Sequence, residues 1–219
     1  IYVMLHSAGL RICENTKDGV SFVLGKEAAI DVLETTFEMM ADGQRFFNRQ
    51  AFGLTVADGI NMMIENRTLF LTRPLQTMMV LRDMQADFGI IPYPNYYEGQ
   101  ESYHVAVNPY AATTMVVPNV MEDPAKTVDV LQLLACESYY QVIDPFYNLV
   151  LDTKLTRDDQ AAGMLDIIFA SRVYDFGFIF DVGGMGTLIQ NMFNSRKNNF
   201  ISQYEKYEKK ALVAIADLM

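Results

Sequence analysis

The chain has 219 residues, of which 51% are hydrophobic and 20% are charged, and its formal net charge at pH 7 is −10. This composition is typical of a globular protein with a sizeable core. The acidic balance argues against non-specific binding to nucleic acid or to anionic lipid, since both need patches of Lys and Arg. Two cysteines, Cys13 and Cys136, and two histidines do not suggest a zinc site, and the sequence leaves open whether the cysteines pair.

The sequence contains no apolar run of about 18 residues, the length that a membrane-spanning helix needs, and no signal peptide. Its opening, IYVMLHSAGL, predicts a helix that is already under way at Ile1 and stops near Gly9. We therefore expect further chain before Ile1, so that the lack of a targeting signal says nothing about export.

Up to about residue 66, the chain is predicted to contain a turn, a short extended segment and two amphipathic helices. Asp18-Gly19 predicts a turn before a short extended segment. Residues 26–42 form the clearest helical pattern, in which apolar residues recur at spacings of 3, 4 and 3. These residues are Ile30, Leu33, Phe37 and Met40. A second helix is predicted at 55–66, with Ile60, Met63 and Ile64 inward.

Residues 67–91 predict a strand, a helix and a strand, which is the unit that builds a parallel sheet. The first strand is TLFLT, the helix starts at Pro74, and the second strand is DFGII, at residues 87–91. Two prolines, Pro92 and Pro94, follow. The sequence then turns extended at residues 103–107 and 113–117.

The C-terminal half is predicted to be mainly helical. Asp123 is expected to cap a helix with Pro124 in its first turn; its predicted buried face is Val128, Leu131, Leu134 and Ala135. Thr156–Asp159 resembles a capping box that opens a helix to about residue 172. After an aromatic, glycine-rich loop at 174–186, helices are predicted from about 187 and over about 198–217. The last is expected to carry Ile201, Tyr204, Ala211, Leu212 and Ile215 inward, and to pair Glu205 with Lys209.

Four stretches in this order carry a resemblance to a known family. They are residues 6–40, residues 58–78, the segment DFGIIPYPNYYEGQESYHVAV at 87–107, and residues 116–137. Together they resemble the second half of bacterial extracellular solute-binding proteins of type 1, the maltose-binding-protein-like lipoproteins that serve ABC importers. The chain departs from that family in its first strand, Thr68–Leu71, which lacks the usual small residues, in having no Trp, and in lacking the first lobe.

The resemblance implies an α/β fold: a periplasmic-binding-protein-like lobe of type II, with a parallel or mixed sheet flanked by helices, plus part of the second lobe. It places the first part of the C-terminal lobe at 1–91, a hinge and a segment of the N-terminal lobe at 92–145, and C-terminal lobe helices with the terminal helix at 146–219. We accordingly expect residues up to about 91 to pack with 146–195, and residues 96–135 to form another body. Pro92 and Pro94 would keep the hinge extended; the alternative is an ordinary surface loop.

The same resemblance implies the function. The chain would capture a small solute, most simply a carbohydrate, between two lobes by hinge closure and deliver it to the membrane subunits of an ABC permease. It would act at the extracellular face or in the periplasm, held by a lipid anchor on an N-terminal segment that precedes this chain. No cofactor, metal or catalytic activity is expected. The alternatives are a structural or interaction domain that keeps the fold without a solute, and an unrecognised hydrolase.

Three regions supply the predicted ligand-binding residues, which are Arg73, Tyr93, Tyr103, Phe180, Asp181, Gly183 and Gly184. Arg73 could bind a carboxylate or a pair of hydroxyls, or else be a surface arginine paired with an acid. Asp181 could accept sugar hydroxyls, and the glycines would present backbone N–H groups. The aromatic rings suit a sugar face, although they suit core or hinge packing equally, and His104 favours a structural role.

Overall fold

A computed structural model describes residues 2–17, 19–43, 46–48, 52–82, 84–108, 110–111, 115–118, 120–146 and 159–217, with side chains from residue 162 onward in the last range. This part of the chain is mixed α/β and rich in helix, with two small sheets, so the α/β class is confirmed.

In chain order its helices are α1 (Tyr2–Ser7), α2 (Lys26–Ala41), α3 (Val56–Ile64), α4 (Met78–Leu81), α5 (Pro124–Ser138), α6 (Asp159–Ala170), α7 (Phe176–Ile179), α8 (Met185–Ser195) and α9 (Phe200–Ala216). The strands are β1 (Cys13–Thr16), β2 (Gly19–Phe22), β3 (Val105–Ala106) and β4 (Arg172–Val173). The structure also contains two 3-10 turns, Leu75–Thr77 and Val182–Gly184, and a π-helical segment, Tyr139–Ile143.

The larger sheet is the hairpin β1–β2. Its strands are antiparallel, with Cys13 opposite Phe22 and Thr16 opposite Gly19. Of the predicted Asp18-Gly19 turn, Gly19 is described and Asp18 lies outside the described residues. The extended segment that was expected after it is β2.

The main core lies between α1, α2, the hairpin, α7, α8 and α9. Its largest fully buried side chains include Leu5, Ile12, Leu33, Met185, Ile189 and Phe200. Burial of each such side chain contributes about 1.5–3 kcal/mol. The two ends of the chain are thus held in one core, with the terminal helix α9 packed on β2, α2 and α8.

Helix α2 confirms the prediction for residues 26–42, but its buried face is shifted around the helix. Ala29, Val32, Leu33 and Thr36 are buried, whereas the rest of the predicted stripe is only half-buried. The shift follows from the neighbours, because α2 packs against both α1 and α9. In α3 a capping box between Thr55 and Asp58 starts the helix. Ile60 is buried as predicted, but Met63 is only half-buried and Ile64 is exposed.

The two strands predicted within residues 67–91 are wrong. Residues 67–74 and 87–91 are irregular, and the intervening helix is reduced to the turn Leu75–Thr77 and the single-turn α4. Leu69 and Phe70 are 82% and 70% exposed. A strand of this kind needs a pairing partner, and none of the described strands lies beside it.

Residues 96–106 contact the same body as α1 and α2, in contrast to the expectation that they pack in a separate one. The strand β3 pairs in parallel with β4, and it also packs on α1. The hydroxyl of Tyr96 bonds to Asp31 O and Thr35 Oγ1 on α2. Gln100 donates to Ser7 O at the end of α1 at 2.8 Å. Side-chain hydrogen bonds therefore hold this segment against α1 and α2. This arrangement fits the alternative of an ordinary surface loop bounded by prolines.

Helix α5 starts as predicted, with Asp123 accepting from Lys126 N at 3.0 Å and Pro124 in the first turn. Its predicted buried face is wrong. Val128, Leu134 and Ala135 are exposed and Leu131 is half-buried. Cys136, on the same helix, is free and exposed, whereas Cys13 is free and buried in β1. Helix α5 therefore carries apolar side chains that the described residues leave uncovered.

The C-terminal helices α6, α8 and α9 lie close to the predicted ranges, while the expected capping box at 156–159 falls outside the described side chains. In α9, Tyr204, Ala211 and Ile215 are buried as predicted, but Ile201 and Leu212 are exposed. Glu205 bonds Lys26 of α2 at 3.1 Å rather than forming the predicted pair within α9. None of the helices that the structure describes has the length and apolar character needed to cross a membrane.

Candidate functional site

A buried carboxylate joins the elements around the candidate site. Asp175 accepts hydrogen bonds from the backbone N–H groups of Ile12, Cys13 and Gly177 at 2.8, 3.2 and 2.9 Å, and it lies 3.1 Å from His6 Nε2. Burial alone raises the pKa of the Asp175 carboxyl, but the bonds from His6, Ile12 and Cys13 outweigh this effect, and its pKa lies below the usual value. Asp175 thereby fixes α1, β1 and α7 relative to one another.

Arg73 lies in the irregular segment just before Pro74 and is half-buried. Its Nε atom is fully buried and has no hydrogen-bond partner, and no ion pair of Arg73 occurs among the described residues. The surface-arginine alternative, an arginine paired with an acid, therefore finds no support in that part of the chain. An unsatisfied buried N–H of this kind costs about 1–3 kcal/mol.

Tyr93, between the two prolines, lies beside Arg73. Burial, followed by the influence of Tyr2, raises the pKa of the Tyr93 hydroxyl to about 12, although a hydrogen bond with Thr72 and the charge of Arg73 act in the opposite direction. The tyrosine is thus protonated at neutral pH and can donate a hydrogen bond. The charge of Arg73 thus acts on Tyr93, a second residue that the sequence predicts as a ligand contact.

Tyr2 of α1 extends this group. Burial chiefly raises the pKa of Tyr2, with a further increase from Tyr110 and an opposing effect of the Arg73 charge. The ring of Tyr2 lies 6.5 Å from that of Tyr110 and 5.7 Å from that of Phe178, measured between centroids. His6, one turn later on α1, packs edge-on against Phe178 at 5.4 Å. The buried His6–Asp175 pair therefore positions the helix that carries Tyr2.

Asp181 marks the other end of the group. Burial raises the pKa of Tyr110, and the negative charge of Asp181 raises it further. The Asp181 carboxylate also accepts from Thr187 N at 2.8 Å and from Thr187 Oγ1 at 2.6 Å, at the start of α8. A carboxylate has about four acceptor positions, so Asp181 retains capacity for a ligand hydroxyl while it caps the helix.

Tyr2, Arg73, Tyr93, Tyr110 and Asp181 are called the Arg73 cluster below. It offers a cationic donor, three phenol rings with hydroxyl groups, and a carboxylate, which is a set suited to a small polar ring with acidic and hydroxyl substituents. Sequence reasoning missed Tyr2 and Tyr110. Nothing in their local patterns distinguishes them, since only tertiary packing brings the ring of Tyr2 within 6.5 Å of that of Tyr110.

The two predicted glycines face the terminal helix instead. A Cβ atom on Gly183 would lie 2.3 Å from Ala211 N of α9, and one on Gly184 would meet the ring of Tyr207. Both have positive φ, of 64° and 78°. These glycines permit a close approach of the Val182–Gly184 turn to α9, which accounts for their presence without a ligand.

Phe180 and Tyr103 lie outside the Arg73 cluster. The ring of Phe180 is exposed and packs on Phe176 at 4.6 Å. Tyr103 precedes β3, and no contact that the structure describes links it to Arg73 or Asp181. Its neighbour His104 has a lowered pKa, through burial and the charges of Arg11 and His6, and its ring lies near Gly9 and Gln100. His104 thus takes the structural position that the sequence favoured.

Comparison of the chain with models of known families, with curated proteins and with solved structures found no match.

Proposed function

We propose that this chain is part of a solute-binding protein that captures a small polar solute, a carbohydrate in the first instance, at the Arg73 cluster. The support for this proposal is a chain of links from Arg73 to Asp181. The charge of Arg73 acts on Tyr2 and Tyr93, the ring of Tyr2 lies 6.5 Å from that of Tyr110, and the charge of Asp181 acts on Tyr110. The sequence alone predicts Arg73, Tyr93 and Asp181 as ligand contacts. Tyr2 and Tyr110 lie between them.

The chemistry of the group favours binding over catalysis. The phenol hydroxyls donate, the Asp181 carboxylate accepts, and the flat faces of the rings can cover the apolar face of a sugar. Catalysis would require a nucleophile with a base in reach. Cys13 does not meet this requirement, because burial, helped by the charge of Asp175, raises its thiol pKa to about 12. We therefore propose a role without a catalytic step.

We further propose that the full protein serves an ABC importer, as the resemblance of the four sequence stretches suggests. In that role the chain would correspond to most of a lobe of the periplasmic-binding type, and a second lobe would cover the ligand. It would act at the extracellular face or in the periplasm, with membrane permease subunits as partners. The support for this part is the sequence resemblance alone.

A second candidate function is an interaction domain, favoured by helix α5. Apolar side chains on α5 and the following π-helical segment are exposed, among them Leu133, Leu134, Tyr140 and Val142. Large exposed apolar surfaces often mark protein contacts. This candidate requires no ligand at the Arg73 cluster, so ligand binding distinguishes the two.

The experiment is saturation-transfer NMR of the chain with neutral sugars, acidic sugars and amino acids at millimolar concentration, which detects weak ligands. Binding should depend on Asp181: Asp181→Asn keeps one cap acceptor for α8 and is expected to weaken binding about tenfold, the effect of one hydrogen bond to a charged group. Asp129→Asn, on the exposed surface of α5, is the matched control and should bind as the wild type does. No saturation transfer to any of these solutes would contradict solute binding and favour the interaction domain.

A further inference from the structure

Helix α5 lacks a covering partner within the part of the chain that the structure describes. None of its residues is buried, and among the described elements it packs extensively only on the π-helical segment that continues it. An isolated helix of about 15 residues is marginally stable in water, because most helical stability comes from packing of an apolar face. A second surface laid on α5 would therefore stabilise it.

One side of α5 carries a row of side chains in which the charges at the two ends are opposite. Its four residues are exposed, and they follow one another at spacings of 4, 3 and 4, so they lie along one line of the helix. They are Lys126, Val130, Leu133 and Glu137, called the α5 row below. Val130 and Leu133 are 49% and 66% exposed. Neither Lys126 nor Glu137 has an ion pair among the described residues, although Glu137 accepts from Gln141 through Oε2.

The α5 row is complementary to a second copy of itself in the antiparallel direction. About a two-fold axis midway along the row, Lys126 of each copy lies level with Glu137 of the other. Val130 of each copy then lies level with Leu133 of the other. A parallel arrangement would instead place like charges level, which is unfavourable. The order of these residues therefore favours an isologous contact, in which the same patch serves both subunits.

We propose that the α5 row is a homodimer interface, at which two copies of this chain pair their α5 helices antiparallel. The contact buries the apolar centre of the row and joins opposite charges at both of its ends. This inference does not depend on solute binding at the Arg73 cluster. One helix pair buries less than the roughly 800 Å² per partner of a standard interface, so we expect a weak dimer with a dissociation constant on the order of 10–100 µM.

The test is sedimentation velocity of the wild type and of charge variants from about 5 to about 500 µM, a range that brackets this constant. Lys126→Glu and Glu137→Lys each place like charges level at both ends of the row, and each should weaken the dimer at least about tenfold. An equal mixture of these two variants should dimerise again, because every charged contact between them joins opposite charges. The control is Lys209→Glu, at an exposed position of α9, which should dimerise as the wild type does.

A wild-type chain that stays monomeric throughout this range would overturn the inference and leave α5 to a different partner. A dimer that neither charge variant weakens, or a mixture that dimerises no better than its components, would overturn the antiparallel pairing. Should a charge variant fail to fold, as judged by circular dichroism, Leu133→Gln removes the apolar centre at an exposed position. It should weaken the dimer about tenfold, and an unchanged dissociation constant would contradict the interface.

Discussion

Asp175 shows how a single residue organises the N-terminal and C-terminal parts of the chain. Its side chain is fully buried, and it receives three backbone N–H groups and His6 Nε2. A buried charge is costly to hold unless every acceptor position is used. Here the donors come from three elements, so the carboxylate fixes all three at once.

Replacement of Asp175 by asparagine is expected to lower the free energy of unfolding by about 3 kcal/mol, because the amide group places a donor against backbone donors. Urea unfolding followed by far-UV circular dichroism measures this quantity. Asp129→Asn is the control and should change it by less than about 0.5 kcal/mol. Equal stability of the two variants would contradict the role assigned to Asp175.

We also expect the stabilising effect of Asp175 to depend on pH. The folded-state pKa of Asp175 is depressed, so its contribution to stability is complete above the unfolded pKa, about 3.9. The contribution is lost as the pH falls through the lower folded value. The difference in unfolding free energy between the wild type and Asp175→Asn should therefore shrink as the pH falls from about 5 to about 3. A difference that grows on acidification would show that the sign is wrong.

At the scale of elements, the turn Val182–Gly184 and α9 approach as closely as glycine permits. Gly183→Ala would place a methyl group 2.3 Å from Ala211 N, at a φ of +64°. We expect a loss of about 2–4 kcal/mol, from overpacking and backbone strain together. Gly53→Ala has a similar φ, +68°, and meets no described atom within 4 Å, so it should cost only about 1 kcal/mol. Thermal unfolding of both variants gives the comparison; equal losses would mean that strain alone matters.

On helix α5, we expect truncation of an apolar side chain to change the stability very little. Leu134 is 54% exposed, although the helical pattern predicts that it is buried. Leu134→Ala should therefore change the unfolding free energy by less than about 0.5 kcal/mol, whereas Leu33→Ala, at a fully buried position of α2, should cost about 2–5 kcal/mol. Urea unfolding measures both. A large loss for Leu134→Ala would show that its face is covered in the folded protein.

Elements with strong local signals could be predicted from the sequence, and those that depend on distant partners could not. The period of α2, the cap of α5 and the range of α9 are local properties. The strands predicted at residues 68–72 and 87–91 required pairing partners that no local pattern reveals. The predicted buried face of α5 is wrong for the same reason, since an apolar stripe is buried only where another element covers it.

Across the whole molecule, the candidate site was predictable in part. Arg73, Tyr93 and Asp181 were identified from residue chemistry beside prolines and a helix start. Tyr2 and Tyr110 join them only through packing of α1 and of the chain after β3. Gly183 and Gly184 show the limit of such reasoning, because a glycine that faces a ligand and one that faces a helix backbone look alike in sequence.

The central claim is that a sugar binds at the Arg73 cluster. The most direct measurement is the side-chain Nε–Hε resonance of Arg73 in a nitrogen–proton correlation spectrum during separate titrations with galactose and with galacturonate, assigned by its loss in Arg73→Lys. We predict that at least one of the two sugars shifts this resonance saturably, while that of Arg67 does not move. Titrations in which both sugars leave the Arg73 resonance unchanged at millimolar concentration, or shift it no more than that of Arg67, would contradict the claim.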